Sequence, residues 1–245
     1  MLFRSVLVTG GAGFIGSNIV DQLVQEGHAV VVVDNLYRGR RDYVNKDSIF
    51  YEIDIRDDAL HDVFRKEKPE CVIHQAAQSD VSRGLKDPYF DGSVNILGTI
   101  NVLECCKKTG VQKIIYASSA AVYGNPEYLG IDEAHPIKPI SFYGISKYVS
   151  EQYIRVYSEL YGLKYTILRY ANVYGRRQLS DGEGGVISIF LDKMSRGEAP
   201  IIYGTGLQTR DFIYVADVVA VNCLALYKGD NHVLNIGTGR EVNIN

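Results

Sequence analysis

No apolar run in this chain approaches the roughly 20 residues needed to cross a bilayer, which excludes a membrane-spanning helix. The amino end, "MLFRSVLVTGG", lacks the long apolar region and small-residue cleavage site of a signal peptide. There are only four cysteines, Cys71, Cys105, Cys106 and Cys223. They form no CxxC and no metal-type spacing, so neither a disulfide framework nor a metal module is expected. They read as reduced, buried thiols, in keeping with a cytoplasmic protein. Excess charge of one sign is missing as well. The net charge is −3 and no long basic run occurs, which argues against nucleic acid as the main partner. Internal repeats and low-complexity segments are absent.

What is present is ordinary globular composition, 46% hydrophobic and 22% charged over 245 residues, enough for one large or two small domains. The first half alternates strand and helix signals. "SVLVT" (5–9), "AVVVVD" (29–34), "IFYEIDI" (49–55), "CVIHQAA" (71–77), "KIIYASS" (113–119) and the start of "YTILRYANVYG" (165–175) read as strands. Several are continuously apolar, as in strands buried on both faces. Between them lie helical patterns at 14–27, from Pro88 to about Lys108, and from about Ser141 to Tyr161. The predicted fold is α/β, a doubly wound parallel sheet of Rossmann type. After Gly175 the pattern loosens into "RRQLSDGEGG", a helix, strands at "PIIYG" and "DFIYV", another helix and a strand at "HVLNIG". The expected division is a dinucleotide-binding domain from 1–175 and 209–228, with 176–208 and 229–245 beginning a smaller substrate-binding region.

"VTGGAGFIGSN" sets Gly11, Gly13 and Gly16 in GxGxxG spacing, with Gly10 adding an overlapping GxxGxxG. It follows a predicted strand and opens a predicted helix. Glycine permits the tight turn and close backbone approach, and the helix start offers free N–H groups to a pyrophosphate. Asp34 ends the second strand, where an acid meets the adenosine ribose hydroxyls. A carboxylate there repels a 2′-phosphate, so NAD is favoured over NADP. Arg38, Arg40 and Arg41 follow and read as solvated surface residues. Asp54 either faces the adenine or caps the next helix.

"SFYGISKYVSEQY" (141–153) places Tyr143 and Lys147 four residues apart, on one face if the segment is helical. A nearby cation favours the phenolate of a tyrosine whose unperturbed pKa is about 10. "YASSAAVYG" (116–124) puts Ser118 and Ser119 at the carboxyl end of the fifth strand, the edge where ligands bind in open α/β sheets. Alone these are turn residues and a surface pair. Together with the glycine loop they make a plausible site for proton and hydride transfer.

The ordered set "VTGGAGFIGS", "DN" (34–35), "DIRD" (54–57), "HQAAQ" (74–78), "SSAAVYG", "YGISK", "LRYANVYG" and "RDFIYVADV", with the "N-ILGT-N-L" pattern from Asn95, resembles the extended short-chain dehydrogenases/reductases. Within them it is most similar to the NAD-dependent sugar-nucleotide epimerases and dehydratases. The resemblance covers nearly the whole chain. It implies bound NAD, a UDP-sugar substrate, no metal, and reversible inversion at C4 of the sugar through a 4-keto intermediate. It assigns catalysis to Ser119, Tyr143 and Lys147. Cofactor contacts fall on Gly10, Gly13, Phe14, Ile15, Gly16, Asp34, Asn35, Asp54, Ile55, Ala76, Ala77, Asn95 and Tyr170 as well as Tyr143 and Lys147. Substrate contacts fall on Asn172, Val186, Tyr203 and Arg210 as well as Ser119 and Tyr143. Ala120 and Ala121 stand where the family's dehydratases carry Asp-Glu, which favours epimerisation. Arg176 replaces the usual proline, a departure expected to alter the loop over the substrate. The resemblance further implies that the substrate region continues some tens of residues beyond this sequence. It also implies a homodimer through the helices at 88–108 and 141–161, with Ile96, Ile100, Leu103, Val149, Ile154 and Val156 as candidate apolar contacts.

Overall fold

The structure is a computed structural model and describes residues 3–180, 185–202 and 204–245. Seven parallel strands form the main sheet. β1 (Ser5–Thr9), β2 (Ala29–Asp34), β3 (Ile49–Glu52), β4 (Cys71–His74), β5 (Lys113–Ser119) and β6 (Lys164–Tyr170) come from the first two-thirds of the chain. β7 (Asn172–Tyr174) pairs in parallel with β9 (Phe212–Tyr214), and β8 (Thr209–Arg210) pairs antiparallel with β11 (Val242–Asn243), making two small sheets beside the main one. The seventh main strand is β10 (His232–Ile236), and the spatial order is β10-β6-β5-β4-β1-β2-β3. The order reverses between β1 and β4, which opens a crevice at the carboxyl ends of the strands.

β10, expected in the second layer, pairs within the main sheet. Residues 232–236 do not belong to the second layer. They register along β6 from His232–Thr166 to Ile236–Tyr170. The reason is burial: without β10, the apolar edge of β6 would be left with unpaired N–H and C=O groups. The expected strand at "PIIYG" does not form over residues 200–202.

Among the described residues, eight α-helices carry the connections. α1 (Phe14–Gln25) and α8 (Val215–Ala225) cover one face of the sheet. α2 (Ala59–Glu67), α5 (Gly98–Thr109) and α6 (Phe142–Tyr161) cover the other. α3 (Val81–Lys86) and α4 (Pro88–Gly92) precede α5, and α7 (Val186–Ser195) belongs to the second layer. Strand alternation sorts the core. Val6 and Val8 of β1 pack with Ile19 and Leu23 of α1, whereas Leu7 between them packs with Phe64 and Leu103 on the opposite face.

The long helix expected from Pro88 is interrupted. α4 and α5 are joined by one π-helical turn, Ser93–Leu97, in which a residue is inserted into the helical ladder. Of the six apolar positions expected at an interface, Leu103 and Ile154 are fully buried in the core. Ile96, Ile100 and Val149 are half-buried, and Val156 is exposed. Leu97, Ile145, Tyr153 and Leu160 are exposed on the same helices.

Candidate active site

At the end of β1 the chain turns through Gly10 at φ +69°, where an added Cβ would stand 2.7 Å from the Ala76 nitrogen. This conformation and this closeness both require glycine. The loop closes with Gly13 N–H donating to Gly10 O at 3.1 Å, and α1 begins at once. No side chain caps α1, so its leading N–H groups face the crevice ready for an anion. Asp34 anchors the other side of the loop. Its carboxylate accepts from Ala12 N–H at 3.0 Å and from Leu36 N–H at 2.8 Å. Burial raises its pKa, and the two N–H groups oppose that rise.

Asp54 lines the crevice and does not cap α2, whose N-cap is Asp58. The Arg56 guanidinium forks onto its carboxylate at 2.8 and 2.7 Å, Asn35 donates at 2.8 Å, and its pKa falls to about 2.

The reacting end lies on β5 and α6. Ser141 starts α6 by accepting from Gly144 N–H at 3.0 Å. Gly144 then packs against the turn after β5 so closely that a Cβ would meet Ala121 O at 2.5 Å. That contact sets Tyr143 and Ser119 on the same stretch of cleft wall, where the Ser119 side chain favours the ionised phenol. Lys147, one turn further, donates to Ala117 O at 2.7 Å and lies 5.9 Å from the Tyr143 ring centroid. Burial pushes the Tyr143 phenol up to about 12, with the Ser119 hydroxyl pulling the other way. Burial also drives Lys147 down to about 7, opposed by the charges of Asp91 and Glu151. The expected lowering of the Tyr143 pKa by Lys147 is thus not the net effect in the protein alone. Removal of both groups from water dominates.

One cleft of about 1210 Å³ joins these parts. Gly10, Gly13, Phe14, Ile15, Gly16, Asp34, Asn35, Asp54, Ile55, Ala76 and Ala77 line its first half. Ser119, Tyr143, Lys147, Tyr170, Asn172, Val186 and Arg210 line its second. Tyr203 lies outside the described residues. Asn95 is set behind the wall: it holds the Gln78 main chain at 2.8 and 2.9 Å and donates to Ser146 at 3.0 Å. It therefore shapes the wall, because the π turn turns its carboxamide toward residue 78. Arg176, in place of proline, gives its carbonyl to Asn18 at 3.2 Å, which ties the loop after β7 to α1. Among the described residues, no cluster of three or more His, Cys, Asp or Glu could hold a metal ion.

Sequence reasoning missed Glu151 and Arg169. Both are buried, with Arg169 forked onto Glu151 at 3.0 and 2.7 Å. Two signals were available. Glu151 follows Lys147 by four residues, on the same helical face, and Arg169 interrupts an otherwise apolar strand.

A model of the NAD dependent epimerase/dehydratase family matches residues 6–237. A putative UDP-glucose 4-epimerase of Methanocaldococcus jannaschii is 53% identical over 98% of this chain and 79% of its own length. The structure of a Thermotoga maritima UDP-glucose 4-epimerase with UDP-glucose superposes with TM-score 0.96 at 47% identity, over 98% of this chain and 78% of that one. That of a Thermus thermophilus UDP-glucose 4-epimerase in complex with NAD gives TM-score 0.93 at 43% identity, over 98% and 79%.

Proposed function

Since the chain belongs to the NAD dependent epimerase/dehydratase family, we propose that it interconverts UDP-glucose and UDP-galactose by inversion at C4, with NAD as its cofactor. The carrying observation is the meeting of Ser119, Tyr143 and Lys147 on the cleft that begins at the glycine loop. NAD fits that loop: the Gly10 turn, the uncapped start of α1 and the Asp34 carboxylate match a pyrophosphate followed by a ribose. When bound, the cofactor supplies the hydride acceptor and donor and a positive ring near the phenol.

The protein's own groups do the rest. Tyr143 Oη takes the proton of the sugar 4-hydroxyl, and Ser119 Oγ orients that hydroxyl. Bringing a phenol from about 12 to 7 requires roughly 7 kcal/mol of differential stabilisation. Lys147, whose own pKa is about 7, carries only part of that demand at neutral pH. Within the protein, the charge that favours the phenolate is that of Lys147, to which an oxidised nicotinamide, when bound, would add. Asn172 and Arg210, on the far half of the cleft, serve the sugar-nucleotide diphosphate. Ala120 and Ala121 follow Ser119 directly. Neither methyl group can move a proton, so the 4-keto sugar has no acid–base route to elimination and leaves by hydride return.

The exposed apolar residues of α6, with Leu97 in the turn before α5, support a homodimer, and the reduced, buried cysteines support a cytoplasmic setting. Light scattering that gave a strict monomer at micromolar concentration would reject the dimer.

The activity is tested by NMR of the products from a panel of UDP-sugars. UDP-glucose is expected to yield UDP-galactose with no 4-keto-6-deoxy sugar. A keto sugar as main product, or turnover confined to a UDP-uronate, UDP-N-acetylhexosamine or UDP-pentose, would overturn the assignment.

A further inference from the structure

Ser119 and Tyr143 sit on different elements, a strand end and a helix start, yet proton transfer needs heavy atoms within roughly 2.6–3.2 Å of each other. Apolar packing of a 20-residue helix on a sheet does not set a distance that finely. The buried cluster beside Ser119 can. Ser118 Oγ donates to Glu151 Oε1 at 2.6 Å, joining β5 to α6. Arg169, cross-strand partner of Ser118 on β6, donates through Nε to the same oxygen at 3.0 Å and through Nη2 to Oε2 at 2.7 Å. Its remaining arm, Nη1, donates to Tyr123 Oη at 2.8 Å, and that hydroxyl donates to Asn235 Oδ1 on β10 at 2.7 Å.

Glu151 is fully buried and Arg169 nearly so. Burying such a pair is weak as a source of stability, because apolar residues of the same volume commonly do as well or better. What the pair adds is geometry. A planar fork accepts a carboxylate in one orientation, and both partners here are held by further bonds. Glu151 follows Lys147 by one turn and Tyr143 by two, so the fork fixes the face of α6 that carries both. Ser118 adjoins Ser119, so the same carboxylate fixes the strand end.

We propose that Ser118, Glu151 and Arg169 form a positioning unit that sets the Ser119 hydroxyl against the Tyr143 phenol. This rests on the catalytic assignment of Ser119 and Tyr143 above. The unit touches no reacting atom, and its effect falls on turnover and not on substrate affinity, since misplacement by about 1 Å can slow a reaction about 10²-fold.

The test is steady-state kinetics with UDP-glucose on the full NAD-loaded chain, with kcat expressed per bound NAD and the urea midpoint measured in parallel. Ser118→Ala removes one hydroxyl and leaves the ion pair. It is expected to lower kcat about tenfold with KM and NAD content within about twofold of wild type. Ser118→Thr, which keeps the hydroxyl, is expected to restore kcat. Glu151→Leu combined with Arg169→Met removes both charges together and is expected to keep the urea midpoint while losing at least as much turnover. Wild-type kcat in Ser118→Ala, a change confined to KM, or no recovery in Ser118→Thr would overturn the proposal. Tyr143→Phe in the same assay separates the two levels. Full activity there removes the catalytic assignment itself. An inactive Tyr143→Phe beside a fully active Ser118→Ala removes only the positioning role.

Discussion

Gly16, in the first turn of α1, lies so close to Gly10 that a Cβ on it would stand 2.1 Å from the Gly10 carbonyl oxygen. The contact is backbone to side chain, with no flexible atom to move aside. Gly16→Ala must therefore push α1 away from the glycine turn. The expected outcome is a folded but less stable protein, by about 1–3 kcal/mol, that is purified without dinucleotide. Absorbance of the nucleotide released on denaturation checks this, beside a urea titration.

Asp34 serves the loop and the ligand with one carboxylate. Asp34→Asn keeps an acceptor for one N–H group but removes the charge that repels a 2′-phosphate. NAD affinity is expected to fall about tenfold and the preference over NADP to shrink, because the phosphate no longer meets a like charge. Fluorescence titration of the stripped protein with both reduced dinucleotides measures it.

His74 predicts the acid limb of stability. It is fully buried between Thr9 and Thr99, at 2.7 and 3.0 Å. Thr99 Oγ1 donates to Asn95 O, so it accepts from His74 Nε2–H, and Thr9 then donates to Nδ1. A second ring proton would have to reverse the Thr9 bond. Burial, and then the Lys147 charge, drive the imidazole down to about 3 from an ordinary 6.5. Between those values the unfolded chain binds a proton that the folded one refuses. Stability from this group is therefore complete above about pH 6.5 and declines as pH falls towards 3, by up to about 1.4 kcal/mol per pH unit. His74→Gln should flatten that slope in urea titrations run from pH 7 to 4.

Arg177 is held at φ +69°, an uncommon conformation for a side chain of its kind. Its guanidinium lies 2.8 Å from Asp21 on α1 and over the Tyr43 ring at 5.4 Å. The strain, of order 1 kcal/mol, is offset by those contacts. Arg177→Ala keeps the strain and loses the tie. The loop after β7 should open more readily over the cofactor cleft, seen as NAD release several-fold faster in a competition experiment.

What was legible in the sequence was local. The glycine loop, Asp34, and the Ser119, Tyr143 and Lys147 set declare themselves within short spans, because each needs a residue type at a fixed spacing from its neighbour. Long-range pairing was not legible. β10 meets β6 across more than sixty residues, and its apolar run fits an edge of either layer equally well. The partnership of Glu151 with Arg169 depends on which strand lies under α6, which only the sheet order decides. Asn95 was recognised by its motif and expected at the cofactor. Its hold on the Gln78 main chain was not legible, because the inserted residue in Ser93–Leu97 leaves no mark in the apolar spacing.

That inserted residue makes the helix from Pro88 to Thr109 two cylinders read in different phase. Successive residues of a helix are rotated by about 100°, so one residue more or less within 93–97 turns the whole of α4 by that angle relative to α5. Asp91 now sits buried, its carboxylate accepting from Gln78 Nε2 at 3.1 Å and packed against Gly84, where a Cβ would come within 3.1 Å. Loss of the Ser93 or Val94 codon in this turn would make the helix regular and leave the recognisable motifs of the chain intact. It would also swing Asp91 out of its seat and carry the Gln78 wall with it, so a frame-preserving deletion here is more damaging than most substitutions in the same stretch.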